Sequence, residues 1–387
     1  MSISLRHTMN FKRILFILIS FWMINTLQAQ TDSITQPKES IKGDKTSRWD
    51  SLFDWNFIAV PTISYQPETN WAFGLAGAYY FNLNKEKTSD INFDMAYTLN
   101  KQWNFNVLST MYFGGNKQWF MYTNLSFKRY PDFFYGIGNR TNQLLQTPIH
   151  YSSDNICITA QPQHYITNHW IVGANITLRY ENPSTDTNLD SINSFCATTG
   201  LDKPFFMLGI GGVISYDSRD QQFYPSHGIF FKTVASYYEP YIGNTYRMGK
   251  VSSEFRQFVP IYKDLIFAWQ ASTEWTFGDE KPFQFLPTLG GMDLLRGLRR
   301  GEWCDDVMMA IQSELRIPIW RFFKASVFGS VGDVYNLENW QWSVPKIGYG
   351  AGIRIALNKA KVNVRFDVAR QNYTNNWSYY LTIKEAF

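Results

Sequence analysis

Residues 346–357 read KIGYGAGIRIAL, and their alternation decides the fold. Ile347, Tyr349, Ala351, Ile353, Ile355 and Leu357 fall on one side of an extended chain; Gly348, Gly350, Gly352, Arg354 and Ala356 fall on the other. A period of two belongs to a β-strand, whose successive side chains point to opposite faces. The same pattern recurs in both directions. KVNVRFDVAR sets Val362, Val364, Phe366 and Val368 against Asn363, Arg365 and Asp367. VMMAIQSELRIPI sets Val307, Met309, Ile311, Leu315, Ile317 and Ile319 against Gln312, Glu314 and Arg316. LIFAWQASTEWTF opposes Leu265, Phe267, Trp269, Ala271 and Trp275 to Gln270, Ser272 and Glu274.

One face is apolar and the other carries charge or glycine. A soluble β-sandwich with its charges in water yields that alternation too. Three features favour a transmembrane β-barrel. The strands run to about 10 residues, what a tilted strand needs to cross a bilayer. Tyr, Trp and Phe gather near strand ends, as membrane interfaces favour. The chain ends in SYYLTIKEAF, whose face Tyr379, Leu381, Ile383 and Phe387 reads as a terminal barrel signal. Aromatics make up 18 % of the 387 residues, yet the mean hydropathy is −0.28, as alternation rather than long apolar blocks produces. A net charge of +4 is too small to call for nucleic acid.

Sixteen strands are expected, starting near residues 55, 71, 90, 103, 119, 155, 169, 206, 228, 246, 265, 307, 323, 346, 361 and 378. An even count brings both termini to the periplasmic side. The connections GGNKQ, ITN, PIYKD and NKA, all after even strands, are short. The longest, 131–154, 181–204, 278–306 and 333–345, all follow odd strands and so share one end. A miscounted sheet would scatter them over both ends.

The N-terminus reads as a secretory signal over residues 1–29. Arg6, His7, Lys12 and Arg13 precede an apolar run from Ile14 to Leu27 and a cleavage site at Leu27-Gln28-Ala29. Residues 30–54 are polar and read as a periplasmic linker, with the barrel over residues 55–387. The expected location is the outer membrane of a Gram-negative bacterium.

The sixth outer loop holds LPTLGGMDLLRGLRRGEW, residues 286–303, with Gly290, Gly291 and Gly297 around Arg296 and with Leu294, Leu295 and Leu298 beside them. ELRIP, with Glu314 and Arg316, follows on the next strand, and DSRD, with Asp217 and Arg219, precedes it on strand 8. DSRD, LGG with LRG, ELRIP, GYGAGIRI and the final Phe387 stand in the order found in the BamA/TamA-type outer-membrane family, the bacterial surface-antigen proteins related to two-partner secretion transporters, which the chain resembles over residues 55–387.

The resemblance implies an all-β, 16-stranded antiparallel barrel whose sixth extracellular loop folds back into the lumen. Gly290, Gly291 and Gly297 permit tight turns near the wall. A desolvated Arg296 needs a carboxylate partner, and Glu314 is the nearest by sequence. The alternative is that Arg296, Arg299 and Arg300 form a solvated basic patch against lipopolysaccharide phosphates. Two departures from the family stand out: Leu298 replaces the aromatic residue after the glycine, and Ser330 replaces the aspartate of the following strand, with Asp333 on the opposite phase. The lock is therefore expected to rest on Glu314 alone. About twenty residues separate the signal from the first strand, whereas members that assemble or translocate proteins carry periplasmic POTRA repeats there.

Asp217, Arg219, Arg354, Arg365 and Asp367 are expected to form a lumen network, with Glu254, Arg256 and Glu274 pairing across strands. Cys157, Cys196 and Cys304 are an odd number, and a bridge between Cys196 and Cys304 would tie two outer loops. His150, His164, His169 and His227 lack metal-ligand spacing, so no metal or cofactor is expected. Ser215 and Ser313 have no histidine near in strand order and no GxSxG occurs, which argues against an enzyme. Expected partners are outer-membrane lipid, lipopolysaccharide and other outer-membrane assembly or lipoprotein subunits. The function expected is outer-membrane protein biogenesis or translocation; the alternative is a surface-exposed structural or pore-forming barrel.

Overall fold

A computed structural model describes residues 57–387 except 67–69, 82, 84–88, 100, 114–118, 141–143, 186–200, 202, 222–223, 321–322, 357–362, 374–376 and 384. The signal, the linker and Cys196 lie outside the described residues. The first half of the sheet comprises β1 (Phe57–Gln66), β2 (Asn70–Phe81), β3 (Ser89–Thr98), β4 (Trp103–Phe113), β5 (Trp119–Gly136), β6 (Leu144–Tyr165), β7 (Trp170–Ser184) and β8 (Phe205–Asp217). The second comprises β9 (Gly228–Tyr238), β10 (Met248–Tyr262), β11 (Leu265–Phe277), β12 (Val307–Trp320), β13 (Phe323–Tyr335), β14 (Lys346–Ala356), β15 (Asn363–Gln371) and β16 (Trp377–Ile383).

All sixteen join in one sheet in chain order, each antiparallel to the next. Consecutive strands usually lie side by side, and the chain keeps to that order even across its longest connection, between β11 and β12. β1 and β16 are its edges, and no pairing joins them among the described residues.

The alternation divides the sheet as the residues dictate. Phe267, Met309, Ile311, Val327, Ile347, Tyr349, Ile353 and Phe366 are exposed on one face. Gln312, Glu314, Arg316, Arg354, Arg365 and Asp367 are buried on the other. Exposed apolar side chains backed by buried charge invert the usual order of a water-soluble protein, and they suit a sheet with lipid outside. Trp103, Phe113, Trp119, Trp170, Phe277 and Trp377 stand exposed at strand ends.

Two expectations are corrected. The segment 131–154 is mostly strand rather than loop: β5 runs to Gly136, and β6 begins at Leu144 rather than near 155. Polar residues such as Ser152, Ser153 and Asp154 hide this extension from an apolar-alternation reading. It is stabilised from one side, where Phe134, Ile149 and Tyr151 pack on Leu201, Phe283, Leu286 and Cys304. The second correction concerns Phe387. β16 stops at Ile383, and Phe387 is buried against Phe258 instead of ending the strand's exposed face. Tyr379 does stand exposed on β16; the side chains of Leu381 and Ile383 lie outside the described residues.

Candidate functional site

The loop between β11 and β12 folds on itself before it meets the sheet. Thr288 bridges Cys304, Leu289 N–H donates to the Trp303 carbonyl at 3.0 Å, and Gly291 N–H donates to the Leu298 carbonyl at 3.1 Å. The two arms therefore satisfy each other's backbone, as a buried loop requires. The tip reverses through Leu295 at φ 58° and Gly297 at φ 105°. Leu289, Leu295, Leu298 and Trp303 pack on Met308, Ala310 and Val334, from β12 and β13. This explains the leucines: they are the loop's own core. Leu298, which stands where the family has an aromatic, belongs to that core.

Gly297 meets two demands at once. Its φ is one that a side chain disfavours, and a Cβ there would lie 2.9 Å from the Arg370 backbone. Its N–H donates to Tyr380 Oη at 3.0 Å, and Ser378 Oγ donates to its carbonyl at 3.3 Å. Gly290 (φ 95°) and Gly291 (φ 120°) turn the other arm.

Arg296 projects from this tip onto the polar face. Its Nη1 donates to Asp367 Oδ2 at 2.6 Å and its Nη2 to Glu314 Oε2 at 2.8 Å. The guanidinium lies 3.4 Å from the centre of the Phe328 ring, a cation–π contact. The side chains of Arg296, Glu314 and Asp367 are all at most 1 % exposed. Glu314 stands on β12 and Asp367 on β15, so one guanidinium forks between carboxylates three strands apart. The expectation that Glu314 acts alone is thereby corrected. Ser330, which stands where the family has an acid, donates its hydroxyl to the Gly348 carbonyl at 3.0 Å. Asp333 pairs with Lys346 at 2.6 Å and takes no part.

The glycine face of KIGYGAGIRIAL makes room for this arrangement. A Cβ on Gly348 would overlap the Arg296 carbonyl, and one on Gly352 would overlap the Asp367 carboxylate and the Arg354 guanidinium. The glycines that first marked the alternation are the floor beneath the loop. Arg354 bonds Asp367 through Nη1 and Glu314 through Nη2, the latter at 3.2 Å. Arg316 Nε donates to Glu314 Oε1 at 3.3 Å. Arg365 Nη2 donates to the Met292 carbonyl at 3.0 Å and approaches Asp293 at 3.3 Å.

Of the expected network, Arg354, Arg365 and Asp367 join this cluster. Asp217 and Arg219 do not. They pair with each other at the β8–β9 turn, with Arg219 Nη2 donating to Asp217 Oδ2 at 2.8 Å and its guanidinium over Phe230. A pair two residues apart on a turn closes locally before reaching across a sheet. Glu254 and Arg256 likewise pair along β10, at 2.7 Å. Among the other loop arginines, Arg299 lies over Phe133 and Tyr135 of β5. Cys304 is a free thiol that donates to the Gly136 carbonyl, and burial pushes its pKa up to about 12.

Sequence reasoning missed Phe328 as the ring under Arg296, Tyr380 as the donor's partner at the tip, and Glu385, which accepts from Arg354 Nε at 3.0 Å. The alternation places Phe328 on the same face as Ser330, and that phase was a usable signal.

A family model described as the Omp85 superfamily domain matches residues 72–383. No curated protein sequence matches the chain. Among solved structures, BamA from Haemophilus ducreyi lacking POTRA domains 1–3 is similar, with a TM-score of 0.59 and 12 % identity over 85 % of this chain and 69 % of that one. CdiB from Acinetobacter baumannii has a TM-score of 0.56 and 10 % identity over 85 % of this chain and 59 % of that one. CdiB from Escherichia coli has a TM-score of 0.55 and 12 % identity over 86 % and 62 %. The chain thus spans less than two thirds of either CdiB chain. Since the family model covers most of the chain, including every strand of the site, this protein belongs to the Omp85 superfamily of outer-membrane proteins.

Proposed function

We propose that the sheet closes into a transmembrane barrel of the outer membrane, reached by signal-directed export, and takes part in assembling or translocating other outer-membrane proteins. The lumen would hold the loop of residues 286–303, locked by Arg296. The observation that carries this reading is the Arg296 fork onto Glu314 and Asp367, both fully buried. A charge taken out of water needs paired partners, and here two strands, β12 and β15, supply them. An inert barrel has no evident need of such a loop, whereas the resemblance to assembly and translocation barrels supplies one.

Lipid and lipopolysaccharide would meet the exposed apolar face, and lipoprotein or other outer-membrane subunits would recruit the cargo. Depletion followed by quantification of the outer-membrane proteome tests the role. Other barrels are expected to fall in abundance; unchanged levels would overturn it.

The competing reading is a pore or a structural barrel. Loop contacts favour a covered mouth over an open one. Gly138, at the β5–β6 tip, donates to the Cys304 carbonyl at 2.9 Å, and Asn139 donates to the Gln341 carbonyl at 2.7 Å. The hairpin thus reaches the β11–β12 and β13–β14 connections. A planar bilayer holding the protein is expected to stay silent; steady conductance would favour the pore.

A further inference from the structure

After β16, residues 385–387 turn onto the polar face. Glu385 accepts from Asn363 Nδ2 at 2.8 Å and from Arg354 Nε at 3.0 Å. Ala386 and Phe387 pack on Phe258 and Ala268, on β10 and β11. Arg316 Nη2 donates to the Phe387 carbonyl at 2.9 Å, and its Nη1 to the Pro225 carbonyl at 3.3 Å. Three residues thus meet five strands, β10, β11, β12, β14 and β15, and all three are buried.

This segment and Arg296 share partners. Arg354 bonds Glu385 through Nε, while its two Nη atoms bond Asp367 and Glu314, the carboxylates that hold Arg296. Arg316 bonds Glu314 through Nε and the Phe387 carbonyl through Nη2. The cluster contains four guanidinium groups, Arg296, Arg316, Arg354 and Arg365, and four carboxylates, Glu314, Asp367, Glu385 and Asp293. Withdrawing Glu385 leaves four cations on three carboxylates. Arg354 then competes harder for Glu314 and Asp367, and Arg296 is held less well. Withdrawing Arg296 leaves three cations among four carboxylates, which repels Glu385. Both changes act in one direction.

We propose that residues 385–387 are an internal strap, coupled through Arg354 and Arg316 to the loop of residues 286–303, so that release of one promotes release of the other. Binding free energies linked through shared groups are reciprocal, so the effect runs both ways with one magnitude. The coupling concerns the chain's own contacts, and its failure would leave the assembly reading untouched.

Hydrogen exchange on the full chain in detergent, read by peptide mass, tests it. E385Q is expected to speed exchange in residues 286–303 by roughly 5-fold or more, the lower end of ordinary coupling, although residue 385 bonds nothing there. R296A is expected to speed exchange in residues 377–387 comparably. If E385Q does not fold, N363A withdraws a hydrogen bond from Glu385 while keeping every charge, and the same readout applies. Exchange that rises in 377–387 with 286–303 unchanged would show two independent latches and overturn the coupling. Exchange unchanged in both would show that Glu385 does not hold the strap, and would overturn it equally.

Discussion

Arg129 and Arg296 make ion pairs at nearly the same distances in very different places, Arg129 with both oxygens of one carboxylate and Arg296 with two carboxylates. Arg129 Nε meets Asp154 Oδ1 at 2.6 Å and its Nη2 meets Oδ2 at 2.7 Å, across the β5–β6 extension. Arg296 meets Asp367 at 2.6 Å and Glu314 at 2.8 Å. The Arg129 side chain is 53 % exposed, and that of Arg296 is 1 % exposed. Water screens the first pair, which holds two flexible side chains for little return. The second sits where an unpartnered charge has no solvent to turn to. Distance alone does not rank them; burial does.

The largest effect is expected from Arg296→Ala, which takes a guanidinium from both Glu314 and Asp367 and leaves them to Arg316, Arg354 and Arg365. Two buried carboxylates each losing a partner should cost about 3–5 kcal/mol of stability. Urea unfolding in detergent, followed by loss of the heat-modifiable band, measures it. Asp367→Asn keeps an oxygen acceptor but removes a charge, and Glu314 still pairs; about 1.5–3 kcal/mol is expected from the same titration. If Asp367→Asn were neutral, the fork would reduce to the single pair with Glu314. Phe328→Leu keeps the apolar packing and removes the ring under the guanidinium, for about 1–2 kcal/mol. Arg129→Ala is expected to cost less than about 1 kcal/mol, and that difference should shrink further at high salt. A loss from Arg129→Ala as large as that from Arg296→Ala would break the contrast between the two pairs.

The sheet was legible because period-two alternation survives in nearly every strand, and the lengths of connections fixed which end each loop occupies. The β5–β6 extension was not, since its polar residues carry no lipid-facing stripe and its stabilising partners, Phe283 and Leu286, come from a distant loop. At the site, Arg296 and Glu314 could be paired from motif order alone. Asp367 could not: it lies 71 residues from Arg296 in sequence, and only the sheet's three-dimensional course brings β15 within reach. One clue was present, however. Gly348, Gly350 and Gly352 leave the middle of β14's polar face, between Lys346 and Arg354, without side chains, and a bare strip between charged strands calls for something to lie over it. Phe387 misled for the opposite reason. Its phase matched the exposed face of β16, but the strand ends at Ile383, and phase has no meaning beyond a strand's last residue.

The central claim is that Arg296 holds the loop of residues 286–303 against the polar face. Limited proteolysis of the folded protein in detergent, comparing the parent with Arg296→Ala and with Arg129→Ala, addresses it most directly. The account predicts new cleavage within residues 286–303 for Arg296→Ala alone, with the parent and Arg129→Ala protected alike. Equal protection of that segment in all three proteins would contradict it.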